Sequence, residues 1–483
     1  MIWWQAAGGA HYEDCWRREG ANSMADTNRE SAVVLGASMA GLATARALAL
    51  HFGRVTVVER DALTAAIEAR KGVPQANHAH GLLPSGYRIL DAWFPGMMAD
   101  LIAIGAMPGD VTGDFLWYQY GCWKLRAQSD LAGIVVTRPM LESKVRERVR
   151  ALPNVELLDG HDIDEPIFDA ASARVTGARV TRRSSGESNI IIADLVIDTT
   201  GRGSQSPAWL SKWGFGDVDE AHVRIDVGYS TAIIPRRPGD LYGAMGAIIA
   251  GTVPDSTRFA AILGAEGDRW VVTLVGATGD YPPTDLASWR EFARSLPTPD
   301  TYELVKDRDP LMPIQSYRFA ANRQRHFERL KRFPLGYLVL GDAVCSFNPI
   351  YGQGMSVSLC EAKALDDCLA QGNDELAQRF FAKISPIIAS PWAIATGEDF
   401  RFPQVAGRRP PGHALISSYM ARAHRAANRD PVVLKRFFEV ASLLAPPTAM
   451  MSPSIAWRVL LGGLGAPQSD PSARLRAETA VVA

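Results

Sequence analysis

Several things are scarce in this chain, and each scarcity removes a class of protein. Charge of one sign is not in excess: 51 basic side chains face 52 acidic ones, for a net charge of −1. No basic block and no interleaving of basic with aromatic residues is present, so a nucleic-acid partner is disfavoured. The five cysteines, Cys15, Cys122, Cys345, Cys360 and Cys368, are odd in number and lack any C-x-x-C spacing. That argues against a disulfide framework or a zinc site and fits a reducing cytoplasm. His78 and His80 have no third ligand nearby in sequence, and loop or polar-face histidines are the favoured reading. Long apolar runs are missing too. The nearest, Ala32 to Leu50, is broken by Ser38, Thr44, Arg46 and a glycine turn, which suits a strand-turn-helix unit better than a membrane span. The N-terminus lacks the basic region and apolar core of a signal peptide.

Residues 1–30 differ in character from the rest of the chain, with Trp3, Trp4 and Trp16 set among charges and no periodicity. Met24 directly precedes a short polar leader. The expectation is a native start at Met24, with the preceding residues a start-site artefact or a disordered tail. At 483 residues, 47% hydrophobic and 21% charged, the chain has room for two or three globular domains.

What is present is more specific. Ser31–Leu35 is an apolar run suited to a strand buried on both faces, and it enters Gly36-x-Ser38-x-x-Gly41 followed by a helical pattern. This is the G-x-G-x-x-G plan with serine in the middle. The first glycine permits the tight turn, the last lets helix pack on strand, and the helix N-terminus offers N–H groups to a pyrophosphate. Ser38 adds a β-carbon where the phosphate should approach, although its hydroxyl is itself a donor. A second strand, Arg54–Val58, ends at Glu59, eighteen residues past Gly41, where a carboxylate can accept from an adenosine ribose. Arg60 follows, but a carboxylate in the ribose position argues against a 2′-phosphate.

Further on, Arg70 to Gln75 reads as a loop and Leu82–Phe94 as a helix closed by Pro95-Gly96. A helix opens at Arg138-Pro139, where an arginine opposes the helix dipole unless an anion lies near. A phosphate or flavin contact and a plain exposed arginine are equally good readings of Arg138. Asp194–Ser204 is another buried strand running into a glycine turn. From His222 to Thr278 the pattern alternates, as antiparallel strands with one open face would, and such a sheet can wall a substrate cavity.

The most informative stretch is Gly341-Asp342, then Pro349-Ile350-Tyr351-Gly352-Gln353-Gly354-Met355. Tyr337–Leu340 is a strand, and Gly341-Asp342 at its carboxyl end is where doubly wound sheets bind ligands. A carboxylate there can take the hydroxyls of a ribityl chain. Bare backbone at Gly352 and Gly354 can approach a flat ring, and a helix starting near Met355 would point its positive end at the flavin. Either glycine segment alone is weak. Together, some three hundred residues apart, they point to one chain folded around one FAD. The predicted fold is α/β: a Rossmann-like FAD-binding domain, an inserted antiparallel-sheet substrate domain and a C-terminal helical region. The expected boundaries are 31–85, 130–210 and 316–372 for the FAD-binding domain, 86–129 and 211–315 for the substrate domain, and 373–483 for the helical region.

On these motifs, with Asp198–Gly203 between them, the chain resembles flavoprotein monooxygenases of the para-hydroxybenzoate hydroxylase fold. It is especially similar to the flavin epoxidases of polyether biosynthesis, sharing Arg70-Lys71-Gly72-Val73-Pro74-Gln75, His78-Ala79-His80 and Asn348-Pro349-x-Tyr351-Gly352. The resemblance implies that Glu59 holds the adenosine ribose and that Arg138 and Asp342 contact the cofactor chain. It also implies that Pro349 and Gly352 to Met355 line the flavin, and it adds Arg60 and Gln75 to the expected cofactor contacts. The Trp-x-Trp-x-Ile-Pro segment of flavin halogenases is absent, and so is a second glycine-rich nucleotide fold. Electrons are then expected from transiently bound NADH or NADPH, or from a separate flavin reductase.

The expected reaction is epoxidation or hydroxylation of an apolar organic substrate by O2, through a C4a-hydroperoxyflavin, with no catalytic side chain required. An FAD-dependent reductase or dehydrogenase of a prenyl or polyketide chain is the alternative, and a non-catalytic flavin-binding protein a remoter one. The aromatics Trp117, Tyr118, Tyr120 and Trp123 suit a cavity lining or ordinary core equally. Pro431 to Leu464 is apolar and broken by prolines. It either caps the cavity or touches a membrane, or it simply packs on the FAD domain, the reading favoured because its polar faces are not strongly basic.

Overall fold

A computed structural model describes residues 29–64 and 67–462; the expectations for the N-terminal extension and Met24 lie outside them. The first sheet has five strands, all parallel, in the order Tyr337–Val339, Leu195–Asp198, Ser31–Leu35, Arg54–Val58, Val155–Leu158. Its three central strands are predominantly apolar because helices cover both faces. Met39–Leu48 and Gly354–Ala370 pack on each other, and Pro84–Trp93 packs on the latter.

A three-stranded antiparallel sheet, His161–Asp169, Arg174–Arg182 and Ser188–Ile192, is appended to this layer. The second large sheet has eight strands, with Gln315–Arg325, Glu220–Pro235, Arg269–Gly276 and Arg258–Ala265 at its centre. Its pairs are antiparallel except that Gly246–Ala250 runs parallel to Phe115–Gln119.

Three expectations need correction. The Arg269–Gly276 strand has no open face: Trp270, Val272 and Leu274 enter a core with Trp289 and Phe292 from the Leu286–Arg294 helix, while Thr273 and Val275 face a cavity. Residues 316–325 do not belong with the FAD layer. They pair along Glu220–Arg224 and Val227–Ser230 and so belong to the eight-stranded sheet. The boundary at residue 86 falls inside the Pro84–Trp93 helix, whose Ile89, Leu90 and Trp93 join the core of the first layer.

After the long Leu376–Asp399 helix, the described residues close with His413–Ala426, Pro431–Ala441 and Pro453–Gly462. These three helices share a separate core built from Ala423, Ala426, Leu434, Phe438, Ile455 and Val459. No described helix is long and apolar enough to cross a membrane.

Candidate active site

Strand register sets the site. Leu35 lies beside both Val58 and Asp198, and Asp198 beside Val339. The four strands therefore end on one edge, which brings Gly36, Glu59, Thr199 and Gly341 into a row although up to three hundred residues separate them. This carboxyl edge of a parallel sheet is where the topology leaves a crevice.

Gly36 adopts φ +104°, and a β-carbon there would meet the Thr199 carbonyl at 3.0 Å. A β-carbon on Gly41 would lie 1.8 Å from the Gly36 carbonyl oxygen. Both glycines are thus required by close approach of backbone to backbone. Ser38 occupies the N-cap of Met39–Leu48 but makes no side-chain cap; instead its hydroxyl accepts from Arg138 Nη2 at 3.0 Å. Arg138 is buried, which rules out the exposed-arginine reading, and its Nε has no partner.

Glu59 is placed where the sequence puts it, but much of its capacity is taken by the protein. It accepts from the Ala37 and Asp61 N–H groups at 2.9 and 3.0 Å and meets Arg70 Nη1 at 3.1 Å. A carboxylate has about four acceptor sites, so one remains for a ligand hydroxyl. Arg70 also bonds Glu142 and the Ala37 carbonyl, which makes the Arg70 loop a clamp on the glycine turn. Arg60 is more than half exposed at the rim, and Gln75 lines the wall.

On the other side, Asp342 is held among Arg138, Arg202 and Arg323. Burial pushes its carboxyl up, and those three guanidinium groups partly offset the effect. The Asn348 side chain accepts from Ile350 N–H at 3.3 Å and turns the chain into Pro349–Tyr351. Gly352 follows at φ +66°, and a β-carbon on Gly352 or Gly354 would meet nothing within 4 Å. The Gly354–Ala370 helix begins here without a side-chain cap or an acidic residue in its first turn. Gln353 is buried, with its Oε1 unpartnered.

Of the residues read from sequence, Gly36, Ser38, Glu59, Arg60, Gln75, Arg138, Asp342, Pro349, Gly352, Gln353, Gly354 and Met355 all line one cavity of about 1240 Å³. Gly41 and Gly341 do not; they serve packing. A β-carbon on Gly341 would press on Ala40, and its N–H donates to Glu361 at 2.6 Å.

The remainder of the cavity is mainly apolar. Strand alternation divides the aromatics of the first hairpin: Phe115 and Trp117 face the cavity, whereas Leu116, Tyr118 and Trp123 enter the opposite core. The C-terminal helices close the far wall through Phe437, Phe438 and Met450, with Trp117 and Phe438 at 4.7 Å. That segment therefore borders the cavity and has a core of its own, rather than simply packing on the FAD-binding layer, the reading favoured from sequence. His78 pairs with Thr231 at 2.7 Å and His80 with the His78 carbonyl at 2.9 Å. Burial drives them down to about 4 and about 3, so both are neutral. No cluster among the described residues could hold a metal. Cys345 is buried, which raises its thiol well above the ordinary range and makes it a filler.

Sequence reasoning missed two polar groups on this wall. Asp399 accepts from Asn322 at 2.7 Å and from Asn348 and Tyr351 at 3.2 Å, and Tyr229 donates to Asn348 Oδ1 at 2.8 Å. Beside it, Tyr120 donates to Glu398 at 2.9 Å, Arg401 bridges the pair, and His424 stacks on Tyr120 at 4.0 Å. No local motif announces either.

These features define the fold of the FAD-dependent monooxygenases, the para-hydroxybenzoate hydroxylase fold. The chain is similar to the flavoprotein/dehydrogenase from Cytophaga hutchinsonii (TM-score 0.64, 14% identity, covering 90% of this chain and 99% of that one). It is also similar to PqsL, described as a probable FAD-dependent monooxygenase, from Pseudomonas aeruginosa (0.59, 18%, 77% and 98%). A third is p-nitrophenol 4-monooxygenase PnpA from Pseudomonas putida (0.58, 19%, 86% and 98%). Within that fold the chain belongs to the family of Protein Rv3254 from Mycobacterium tuberculosis, to which it is 32% identical over 435 residues, 86% of this chain and 90% of the relative. No protein-family model matches the chain.

Proposed function

We propose that the protein is an FAD-dependent monooxygenase acting on an apolar organic molecule. The observation that carries this is one cavity reached by two helix N-termini, at Met39 and Gly354, neither capped by a side chain. Their free N–H groups and positive dipole ends suit a pyrophosphate at the first and a flavin ring at the second. The orphaned Arg138 Nε and Gln353 Oε1 and the open space over Gly352 and Gly354 fit the same ligand.

Ser38, Arg138 and the remaining acceptor site of Glu59 would hold the adenosine diphosphate half, Asp342 the ribityl chain, and Pro349 to Met355 the ring. FAD bound there, reduced by NADH, NADPH or a separate flavin reductase, would supply the electrons by which one atom of O2 enters the substrate and the other leaves as water. The chain's own residues position and exclude water. The Asp399 network fixes the 348–352 loop, the Gly354 helix end stabilises negative charge near it, and Phe115, Trp117, Phe437 and Phe438 keep the reacting region dry. His78 and His80, being neutral, add no positive charge to the wall that faces an apolar substrate.

The test is NADH and NADPH oxidation by the FAD-loaded protein with a panel of alkenes and phenols, tracking H2O2. Substrate-stimulated oxidation with little H2O2 supports the reading. Turnover that persists without O2 would assign a reductase or dehydrogenase instead. Slow reduction by every donor, indifferent to ligands, would leave a flavin-binding protein without catalysis.

A further inference from the structure

Positive charge and exposed apolar surface are concentrated in the C-terminal helices. Between Phe400 and Gly462 stand nine basic side chains and two acidic ones, Asp430 and Glu439, in a chain of net charge −1. The segment from Pro431 onward is not strongly basic by itself and holds only part of this excess; most lies upstream. Arg458, Arg436 and Lys435 are spent on Asp430, Glu439 and Asp130 at 2.8, 3.0 and 3.6 Å. Arg401 pairs with Glu398, and Arg409 donates to the carbonyls of Phe400 and Phe402. Arg408, Arg422, Arg425 and Arg429 have no acidic partner among the described residues.

Placement gives this excess a direction. Leu415, Ser418, Arg422 and Arg425 recur at helical spacing on His413–Ala426 and form one stripe, which Arg429 extends. Leu415 is 77% exposed. On Pro453–Gly462, Trp457 and Leu461 are 64% and 57% exposed and one turn apart, with Met451 54% exposed just ahead of the helix. The two helices bury Ala423, Ala426, Ile455 and Val459 in a common core, so neither stripe enters it. Tyr419 donates to the Met450 carbonyl and Gly462 lies against Ala426, so the helices run alongside each other. Leu415 and Met451 also line the cavity. Being exposed and lining at once, they mark where it opens.

Single exposed apolar side chains are ordinary, but a patch of them edged by unpaired arginines is a binding surface. A purely apolar partner would bury those arginines without counter-charge, at a cost. Anionic lipid headgroups over an acyl layer satisfy both halves, and tryptophan with leucine and arginine is the composition of the interfacial zone. We propose that this face docks peripherally on an anionic lipid surface, with Leu415, Met451 and Trp457 at headgroup depth and Arg422 and Arg425 against phosphates. Apolar substrate then enters the cavity directly from lipid; that last step rests on the monooxygenase reading, whereas the docking does not.

The experiment is flotation of the full chain with phosphatidylcholine vesicles, with and without phosphatidylglycerol, the FAD content of each sample being read by absorbance. Co-flotation is expected with the anionic vesicles, weakening as salt is raised. Trp457→Ser with Leu461→Ser, and separately Arg422→Glu with Arg425→Glu, should each weaken it by about tenfold or more with FAD content unchanged. An unmodified protein that never floats with anionic vesicles overturns the proposal. So does sedimentation as a dimer that Trp457→Ser splits, which would give the face to a second copy. Protein that floats but binds no FAD keeps the docking and sinks the enzymatic reading; an active flavoenzyme that does not float does the reverse.

Discussion

Arg138 donates from Nη2 to the Ser38 hydroxyl at 3.0 Å, tying the start of the Arg138–Arg150 helix to the glycine turn that opens another. A buried guanidinium at a helix N-terminus is opposed by the dipole. Glu142 Oε2 at 3.4 Å offsets part of this, and Nε is left without a partner. An anion between Arg138 and the Met39 helix would complete the arrangement. Charged hydrogen bonds contribute about 1.5–3 kcal/mol, so Arg138→Ala should weaken FAD binding by roughly ten- to a hundredfold in a fluorescence titration of the apoprotein. Arg138→Lys keeps the charge but loses the fork, and should recover only part. Unaltered affinity in the alanine variant would place the pyrophosphate elsewhere.

Gly41 and Gly352 should fail in different ways. A β-carbon on Gly41 would sit 1.8 Å from the Gly36 carbonyl oxygen, so helix and strand must separate. Gly41→Ala should cost about 3 kcal/mol or more of stability, seen as a lower Tm of the apoprotein. Gly352 has φ +66° and open space around the added carbon, so Gly352→Ala carries only the left-handed penalty of about 1 kcal/mol. Its larger effect should be on flavin affinity, because the new methyl points where the ring is proposed to lie. A Gly352→Ala protein that binds FAD normally would remove the loop from the ring.

Glu361 gives the fold a pH dependence of defined sign. It is fully buried, its Oε2 accepts from Gly341 N–H at 2.6 Å and its Oε1 has no partner. Burial raises its carboxyl to about 8; the Gly341 hydrogen bond opposes the shift and nearby Asp342 adds to it. The folded state then keeps a proton that the unfolded chain has released. This contribution is fully present below about pH 4.5 and is lost as pH rises through about 8. Glu361→Gln keeps an acceptor for Gly341 without the ionisation. The Tm of the parent protein should therefore fall relative to Glu361→Gln from about pH 5 to about 9, by the equivalent of a few kcal/mol. Parallel curves would show that Glu361 stays ionised.

The doubly wound half was legible because its signals are local. Strands buried on both faces print as continuous apolar runs, and the Gly36 to Gly41 spacing reports a turn that only those residues allow. The substrate half was legible only as strands. Trp117, Tyr118, Tyr120 and Trp123 read as one aromatic group, yet alternation sends Trp117 to the cavity and Tyr118 and Trp123 to the core; no local pattern says which face is which. Arg269–Gly276 looked half-exposed because its Thr273 and Val275 face turns to the cavity, which distant parts of the chain enclose. Asp399 carries no motif at all. It ends a 24-residue helix and meets Asn322, Asn348 and Tyr351 across 77, 51 and 48 residues.

That network makes Asp399 a positioning residue for the 348–352 loop, with an effect separable from mere structure. Tyr351→Phe removes one hydrogen bond of 3.2 Å and should change FAD affinity by less than about tenfold. Asp399→Ala leaves two buried amides, Asn322 Nδ2 and Asn348 Nδ2, short of an acceptor, which should cost about 1–3 kcal/mol and loosen the loop. Burial also lifts the Asp399 carboxyl to about 6, against the hydrogen bonds that favour its charge. Across that range a negative charge forms beside the loop proposed to hold the ring. The absorption band of bound flavin should then shift with a midpoint near pH 6. Asp399→Asn should abolish the midpoint while keeping the flavin. A midpoint that survives in Asp399→Asn would assign the titration to another group and leave Asp399 a purely structural tie.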